Sequence, residues 1–395
     1  MKKAILFLGG SKYIVPLIKI LQGKDFLIIT CDYLPSNPAH IVSDVYWNIS
    51  ILDTNSILKK TKDYNIVLVS SFACDPGVIS AAQISVQLGL KSPPLESIKV
   101  LQDKVRFRDL LNRIKLNTPA HYSGNDQISN NKLDFPFIIK PTDSAGSKGV
   151  EIVKNEQDFL LAKKQAIKCS LSGNYIIEDL ISSQWDPIDT DFVITQGILL
   201  HLNNLNGQFF DKTSSGPFTP IGYYWPNKWP RSAVKELYKQ LEILLLELKI
   251  NNCILNVEAR IGSDDKVYLM EVSPRGGGNN LSYVSGKLSD FSTLDNYCKI
   301  LNREVLPIKI NKFNKYLLYL VLYSKKSGTL KGYNVSQKYI NYLIEFNLFV
   351  ELGSEIEKIA GANSTLGYAL FKFDSKRELD DAIKNFDTIY SLNLN

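Results

Sequence analysis

CILNVEARIGSDDKVYLMEVSPRGGGNN, residues 253–280, is the stretch on which the rest of the chain turns. Two runs rich in β-branched and apolar residues, 253–261 and 267–272, flank the turn-forming loop Gly262–Lys266, so they are expected to pair as an antiparallel hairpin. Side chains alternate faces along a strand. Asn256, Glu258 and Arg260 therefore share one face of the first strand, and Glu271 and Ser273 share a face of the second. The opposite faces carry Leu255, Val257, Leu269 and Val272, slightly offset, and should pack on a core. Two glutamates on a half-buried face are costly unless something positive sits between them. Oxygen donors without His or Cys suit Mg2+, whose coordination nucleotide phosphates usually complete. Taken alone, the hairpin serves equally well as a strand pair with ordinary solvated carboxylates.

Three segments upstream change that balance. FPFIIKPTDSAGSKGVEIV, residues 135–153, sets Lys140 at a strand end ahead of a small-residue loop with Gly146 and Gly149. Such a loop lets backbone N–H groups approach phosphate oxygens while the lysine supplies a fixed charge, although a plain hairpin turn would look the same. It lacks the GxxxxGK[ST] pattern of the nucleotide-binding P-loop. Asp103-Lys104 opens a helix just past a Pro93-Pro94 boundary, which by itself is only a capped helix start. YIIEDLI, residues 175–181, is a strand whose Glu178 interrupts an apolar run, and a backbone hinge there can read an adenine edge. The order and spacing of all four segments carry more than any one of them.

The chain has 395 residues, which at about 150 per domain gives two to three domains. With 45% hydrophobic and 22% charged residues it is an ordinary globular composition, so disorder is excluded as the main state. The net charge of +6 is spread without a basic run, and no nucleic-acid partner is expected. Five scattered cysteines without CxxC read as free thiols in a reducing compartment. Three separated histidines argue against a His-rich metal site. The apolar run Ala4–Leu8 breaks at Gly9-Gly10, too short for a secretory leader, and no stretch nears the ~20 residues needed to span a bilayer. The expectation is a cytoplasmic protein with no membrane partner.

Strands at Ala4–Leu8, Phe26–Thr30 and Ile66–Ser70 alternate with helices at 13–22, 54–63 and 76–88, a βαβ pattern with a parallel sheet. Gly9-Gly10-Ser11 is either a tight turn or a phosphate cradle at a helix N-terminus. Beyond the Lys91–Pro94 boundary, 96–115 reads as one helix and 156–168 as another, with a polar loop at 123–132. GPFTPIGYYWPNKWP, residues 216–230, reads as a long aromatic, Pro-rich connection. Leu237, Leu241, Leu244, Leu245 and Leu248 line one face of a helix at 232–249. After residue 308 the chain reads as strands with one closing helix at 375–385.

In sequence order, DK (103–104), IIK (138–140), the glycine loop (142–149), IIEDLI (176–181), NVEAR (256–260) and MEVSPR (270–275) resemble the ATP-grasp superfamily. That superfamily includes biotin carboxylase, carbamoyl phosphate synthetase, D-alanine–D-alanine ligase and bacterial L-amino-acid ligases. The resemblance implies a mixed α/β and α+β fold. An N-terminal parallel-sheet pre-ATP-grasp domain (1–95) would precede the ATP-grasp domain (96–308, lid about 118–182) and a C-terminal β-rich lobe (309–395). It implies that Lys104 and Lys140 hold ATP phosphates and that Ser144, Gly146, Ser147, Lys148 and Gly149 close over them. Glu178 and the backbone of Asp179 and Leu180 would take adenine, and Asp186, beside Trp185, the ribose. Glu258, Glu271 and Ser273 would hold Mg2+ or Mn2+, with Ser273 where the family usually has Asn and Asn256 as a compensating group. Arg275, with Lys140, Asn256 and Arg260, would serve the transferred phosphoryl group.

The implied activity is ATP-dependent joining of a small-molecule carboxylate, such as an amino acid, to an amine through an acyl phosphate. A homodimer is common in that superfamily. A bicarbonate-phosphorylating carboxylase or carbamoyl-phosphate-type enzyme is the alternative, and a nucleotide-binding protein without turnover a third. Loops 142–149 and 211–230 are the expected water-excluding covers. Phe218, Tyr223, Tyr224 and Trp225 either wall an acceptor pocket or simply pack a loop.

Overall fold

The computed structural model describes residues 1–123, 134–144, 146–202, 204–211, 218–304, 306, 315–359, 361 and 364–395. Four parallel strands begin the chain: β1 (Lys3–Leu8), β2 (Leu27–Cys31), β3 (Val45–Trp47) and β4 (Asn65–Ser70), in the order β3-β2-β1-β4. β1 is buried from Ala4 to Leu8 on both faces, hence its unbroken apolar run. The three expected strands are present, and β3 is an addition whose three residues are too few to show a period. Helices Val15–Gln22, Thr54–Thr61 and Pro76–Gln87 fall where the βαβ pattern puts them.

Residues 96–115 form two helices rather than one, Leu95–Leu101 and Lys104–Arg113. The break is Asp103, which leaves helical geometry and accepts from the Arg106 N–H at 3.0 Å. It fixes Lys104 in the first turn of the second helix, facing the next sheet. That sheet comprises β5 (His121–Ser123), β6 (Phe137–Pro141), β7 (Glu151–Val153) and β8 (Tyr175–Asp179), antiparallel in the order β5-β8-β6-β7. Helix Glu156–Cys169, capped by Asn155, covers it.

The central sheet runs β10-β9-β13-β14, from β9 (Ile188–Thr195), β10 (Ile198–Leu199), β13 (Cys253–Ile261) and β14 (Val267–Ser273). Helix Arg231–Glu247 lays Leu237, Leu241, Leu244 and Leu245 against its inner face, together with Leu255, Val257, Leu269 and Val272. The outer face carries polar residues beside Val193 and Ile254, which pack into a second core with the N-terminal sheet.

β11 (Gly207–Phe210) and β12 (Pro220–Trp225) leave that sheet for another. They pair with β15 (Tyr316–Leu322), β19 (Gly367–Phe373) and β17 (Leu343–Leu348) in the order β11-β12-β15-β19-β17. β16 (Gly328–Val335), β18 (Glu355–Ile356) and β20 (Tyr390–Leu394) make a smaller sheet, and helix Lys376–Lys384 starts at a Ser375/Glu378 capping box. The expected connection at 216–230 is thus corrected: 220–225 is an interior strand, while 212–217 lie outside the described residues. Its proline and glycine suggested a loop, yet it pairs on one side with the nearby β11 and on the other with β15, some ninety residues on. Gly207 sits opposite Tyr224, whose ring would lie 2.1 Å from an added Cβ, so the aromatic covers the bare backbone.

No described helix is long and apolar enough to cross a membrane. Leu237 is fully buried between the long helix and the central sheet. Leu237→Ala should cost about 2–5 kcal/mol, read as a lower denaturant midpoint with an unchanged m-value.

Candidate active site

The hairpin pairs in register, Asn256 with Ser273 and Glu258 with Glu271, so the two glutamates are direct cross-strand neighbours. A bulge between Glu258 and Ala259 explains the offset in the apolar face. On the other side of β13, β9 sets Asp189 opposite Glu258 and Asp191 opposite Asn256. Three carboxylates, Asp189, Glu258 and Glu271, therefore stand in one row across three strands. Desolvation, with Asp189 and Glu271 close by, pushes Glu258 up to about 8. Desolvation, with Asp191 beside it, pushes Asp189 up to about 7. Arg260, half-buried on the same strand, offsets part of the repulsion at Glu258.

Asn256 and Arg275 tie this row together. The Asn256 amide donates to Asp189 at 2.7 Å and Asp191 at 3.2 Å, and its oxygen accepts from Arg275 at 3.0 Å. Asp191 also accepts from the Gly277 N–H at 2.8 Å and from Ser282. Arg275 forms a two-pronged pair with Asp75, Nε to Oδ1 at 2.8 Å and Nη2 to Oδ2 at 2.7 Å. Burial alone would raise the Asp75 carboxyl, but Arg275 and Ser273 hold it below the usual carboxylate range. Ser273 Oγ donates to Asp75 at 2.6 Å and accepts from Gln102 at 3.0 Å. Its hydroxyl proton is thus committed to the loop after β4, which leaves one lone pair on the oxygen. Ala73 N–H donates to the Gly276 carbonyl at 3.1 Å, completing a clamp between residues 73–75 and 273–276.

The basic groups gather on the facing side. Lys104 Nζ donates to the Ser144 carbonyl at 3.0 Å and lies 3.6 Å from Glu271. Lys140 Nζ is 2.5 Å from Glu178, which also receives Arg108 Nε at 2.8 Å. Arg108, fully buried, donates onward to the carbonyls of Leu269 at 3.0 Å and Met270 at 2.8 Å, so it welds β8 to β14. Burial opposes ionisation of Glu178, yet Arg108 and Lys140 hold it down at about 2. Burial brings Lys140 down to about 8 despite Glu178. Glu178 therefore spends its carboxylate on two cations, and only the backbone of β8's end, with Asp179 exposed and Leu180 half-buried, is left to face a ligand.

The loop after β6 is pinned by Asp143, which accepts from Ser170 Oγ at 2.6 Å and from the N–H groups of Leu171 and Ser172 at 2.9 and 2.8 Å. Gly146, Ser147 and Gly149 then adopt left-handed φ angles of 68°, 57° and 72°. Ser147 Oγ donates to the Phe218 carbonyl at 3.1 Å, and Lys148 is exposed; Ala145 lies outside the described residues. Asp186 stands apart, accepting from Tyr224 at 2.8 Å, and among the described residues no contact joins it to Lys104 or Lys140. Of the aromatics, only Tyr223 reaches the acidic row, donating to Asp189 at 3.2 Å and accepting from Asn279 at 2.8 Å. Tyr224 and Trp225 are strand residues packed into separate cores, the latter together with Tyr223.

Sequence reasoning missed Asp75, Arg108, Asp189 and Asp191. The last two had a signal, since IDTDFVIT (188–195) carries two carboxylates on one face of an apolar strand. Asp75 and Arg108 had none.

Removing Glu178 leaves two buried cations without an anion, so Glu178→Ala should destabilise the fold by about 3–5 kcal/mol. Because its folded carboxyl titrates near 2 against an ordinary 4.5, its stabilisation is complete above about pH 4.5 and fades as pH falls toward 2. Unfolding free energies measured over that window should lose this part of their slope in Glu178→Gln, whereas an unchanged slope contradicts the assignment.

Residues 133–283 match the family model described as the ATP-grasp domain. The carbamoyl phosphate synthase large chain of Methanosphaerula palustris is 25% identical over 437 residues, covering 94% of this chain and 40% of that one. The first curated relatives are spanned by the chain over only 17–40% of their length. Among solved structures, the L-amino acid ligase from Bacillus licheniformis superposes with a TM-score of 0.83 at 15% identity, covering all of both chains. The biotin carboxylase domain of the Hydrogenobacter thermophilus 2-oxoglutarate carboxylase, solved with MgADP and bicarbonate, gives 0.75 at 14% identity, covering 100% of this chain and 91% of that one. The match at the centre of the chain and the shared fold across its whole length identify residues 133–283 as an ATP-grasp domain within an ATP-grasp fold.

Proposed function

We propose that the chain is an ATP-dependent ligase that activates a carboxylate as an acyl phosphate and passes the acyl group to an amine. One observation carries the reading: the in-register pair Glu258–Glu271, with Lys104 3.6 Å from Glu271 and Arg275 braced behind it.

The acidic row fits a divalent cation, because its raised carboxyls mark a surplus of negative charge that the protein itself leaves uncompensated. Among the described residues no group of three or more His, Cys, Asp or Glu converges as a metal cage. A cation held by Glu258 and Glu271 would thus take its remaining oxygens from water and phosphates, as Mg2+ and Mn2+ do beside a nucleotide. When bound it would supply neutralising charge to the phosphate tail. Ser273, whose hydroxyl donates to Asp75 and accepts from Gln102, keeps one oxygen lone pair for such a cation or its water.

Lys104 and Lys140 bind and orient the phosphates, and the 142–149 loop covers them. Attack of a carboxylate oxygen on the γ-phosphorus breaks its bond to the ADP oxygen and yields ADP and an acyl phosphate. The amine then attacks the acyl carbon and inorganic phosphate leaves. Both steps move negative charge past Arg275. Its guanidinium has five N–H groups; two go to Asp75, one to Asn256 and one to the Gly276 carbonyl, leaving a single Nη2 N–H for an incoming oxyanion. That donor is oriented before substrate arrives and needs no rearrangement.

A second reading is favoured by the sequence relatives, which are carbamoyl phosphate synthase large chains: bicarbonate would then be the phosphorylated group. The five cysteines are free thiols, in keeping with a reducing cytoplasm.

ADP release screened over pairs of carboxylates and amines tests the reading, with hydroxylamine trapping the acyl phosphate and product masses naming both halves. Glu271→Gln should lower turnover at least about 100-fold while the unfolding midpoint stays near wild type. Near-normal turnover rejects the assignment, and strict bicarbonate dependence favours the second reading.

A further inference from the structure

Behind the Asp75–Arg275 clamp lies a half-open cavity of about 50 Å3. Its floor is apolar, with Val78, Ala82 and Ile98 from two helices, and its polar groups come from several parts of the chain. Ser70 and Ser71 come from the end of β4, Lys91 from the linker, Asn252 from the lead into β13, and Pro274 and Arg303 from the segments that follow β14. None of the residues lining it is acidic, although two carry positive charge.

Those cations are uncompensated. Lys91 Nζ donates to the Asn302 carbonyl at 2.8 Å, which leaves two of its three N–H groups, and among the described residues it has no ion pair. Arg303 is exposed, takes a left-handed φ of 62°, and likewise has no ion pair among the described residues. The third group is the side-chain amide of a largely buried residue. Asn252 is 8% exposed, and its side-chain oxygen accepts from the Gln196 N–H at 2.9 Å. A backbone donor thereby fixes which end of the amide is oxygen. The NH2 end has no protein acceptor among the described residues, and Asn252 lines the cavity. An anion there would accept from that amide together with the two cations.

We propose that this cavity binds a small oxyanion, an inorganic phosphate or a compact carboxylate, through the Asn252 amide, Lys91 and Arg303. The site is separate from the nucleotide cleft and does not depend on the ligase reading. Its walls include Ser71, four residues before Asp75, and Pro274, next to Arg275, so occupancy braces both halves of the clamp from behind.

The test is thermal unfolding of the full chain, without nucleotide, in phosphate or acetate against potassium chloride at equal ionic strength. Wild type should gain about 2–4 °C from at least one oxyanion. Asn252→Asp keeps the oxygen that Gln196 needs and sets a negative charge against the ligand. Lys91→Ala/Arg303→Ala removes two exposed cations without disturbing a core. Both variants should lose the gain, and Lys91→Arg/Arg303→Lys should recover most of it. A gain of equal size in the double alanine variant places the anion at Lys104 and Lys140 instead and overturns the proposal, as does no gain in wild type. Should Asn252→Asp fail to fold, the double alanine variant decides alone.

Discussion

Repulsion among Asp189, Glu258 and Glu271, lined up across three neighbouring strands, is the constraint to which the surrounding structure answers. Left alone, such a row would take up protons or splay its strands. Asn256 and Tyr223 donate to its inner end, Lys104 approaches its outer end, and Arg275 stands behind with its charge already matched by Asp75. The middle carboxylate, Glu258, has the least help, and it is pushed upward together with Asp189. A protein that keeps a charge surplus at the mouth of a cleft, with lysines facing it, is arranged for a ligand that brings positive charge on a negative tail.

The two lysines are held differently, and the difference has a physical origin. Lys140 lies inside the lid sheet, its charge matched by a glutamate that Arg108 also grips. Lys104 starts a helix and touches a carbonyl and Glu271 at longer range, so it retains more freedom. Arg108 links the lid to β14 through one buried carboxylate and two carbonyls, which makes the position of Lys140 and that of Glu271 parts of one rigid arrangement.

How much of this could be read in advance depended on where the information lay. Alternation along 253–273 put Asn256, Glu258, Glu271 and Ser273 on one face because strand geometry has a fixed period, and only the bulge at Glu258 escaped it. The same argument applied to 188–195 would have exposed Asp189 and Asp191. Lys104 and Lys140 were marked by a cap and a strand end, both local signals. Asp75 had no local signal, since its meaning comes from a partner two hundred residues away. The roles first given to Glu178 and Ser273 followed a motif's usual ligands, while the coordinates tie both side chains to protein partners. Strand 220–225 was misread because its proline and glycine suggested a loop, and one of its two pairing partners lies some ninety residues on.

Calorimetric titration of ADP into the full chain, with and without Mg2+, examines the acidic row directly. Mg2+ should tighten ADP binding to the wild type by at least about tenfold, and Glu258→Gln/Glu271→Gln should bind ADP with the same affinity whether Mg2+ is present or not. An equal Mg2+ enhancement in the double variant would show that the row at 258 and 271 does not hold the nucleotide's cation.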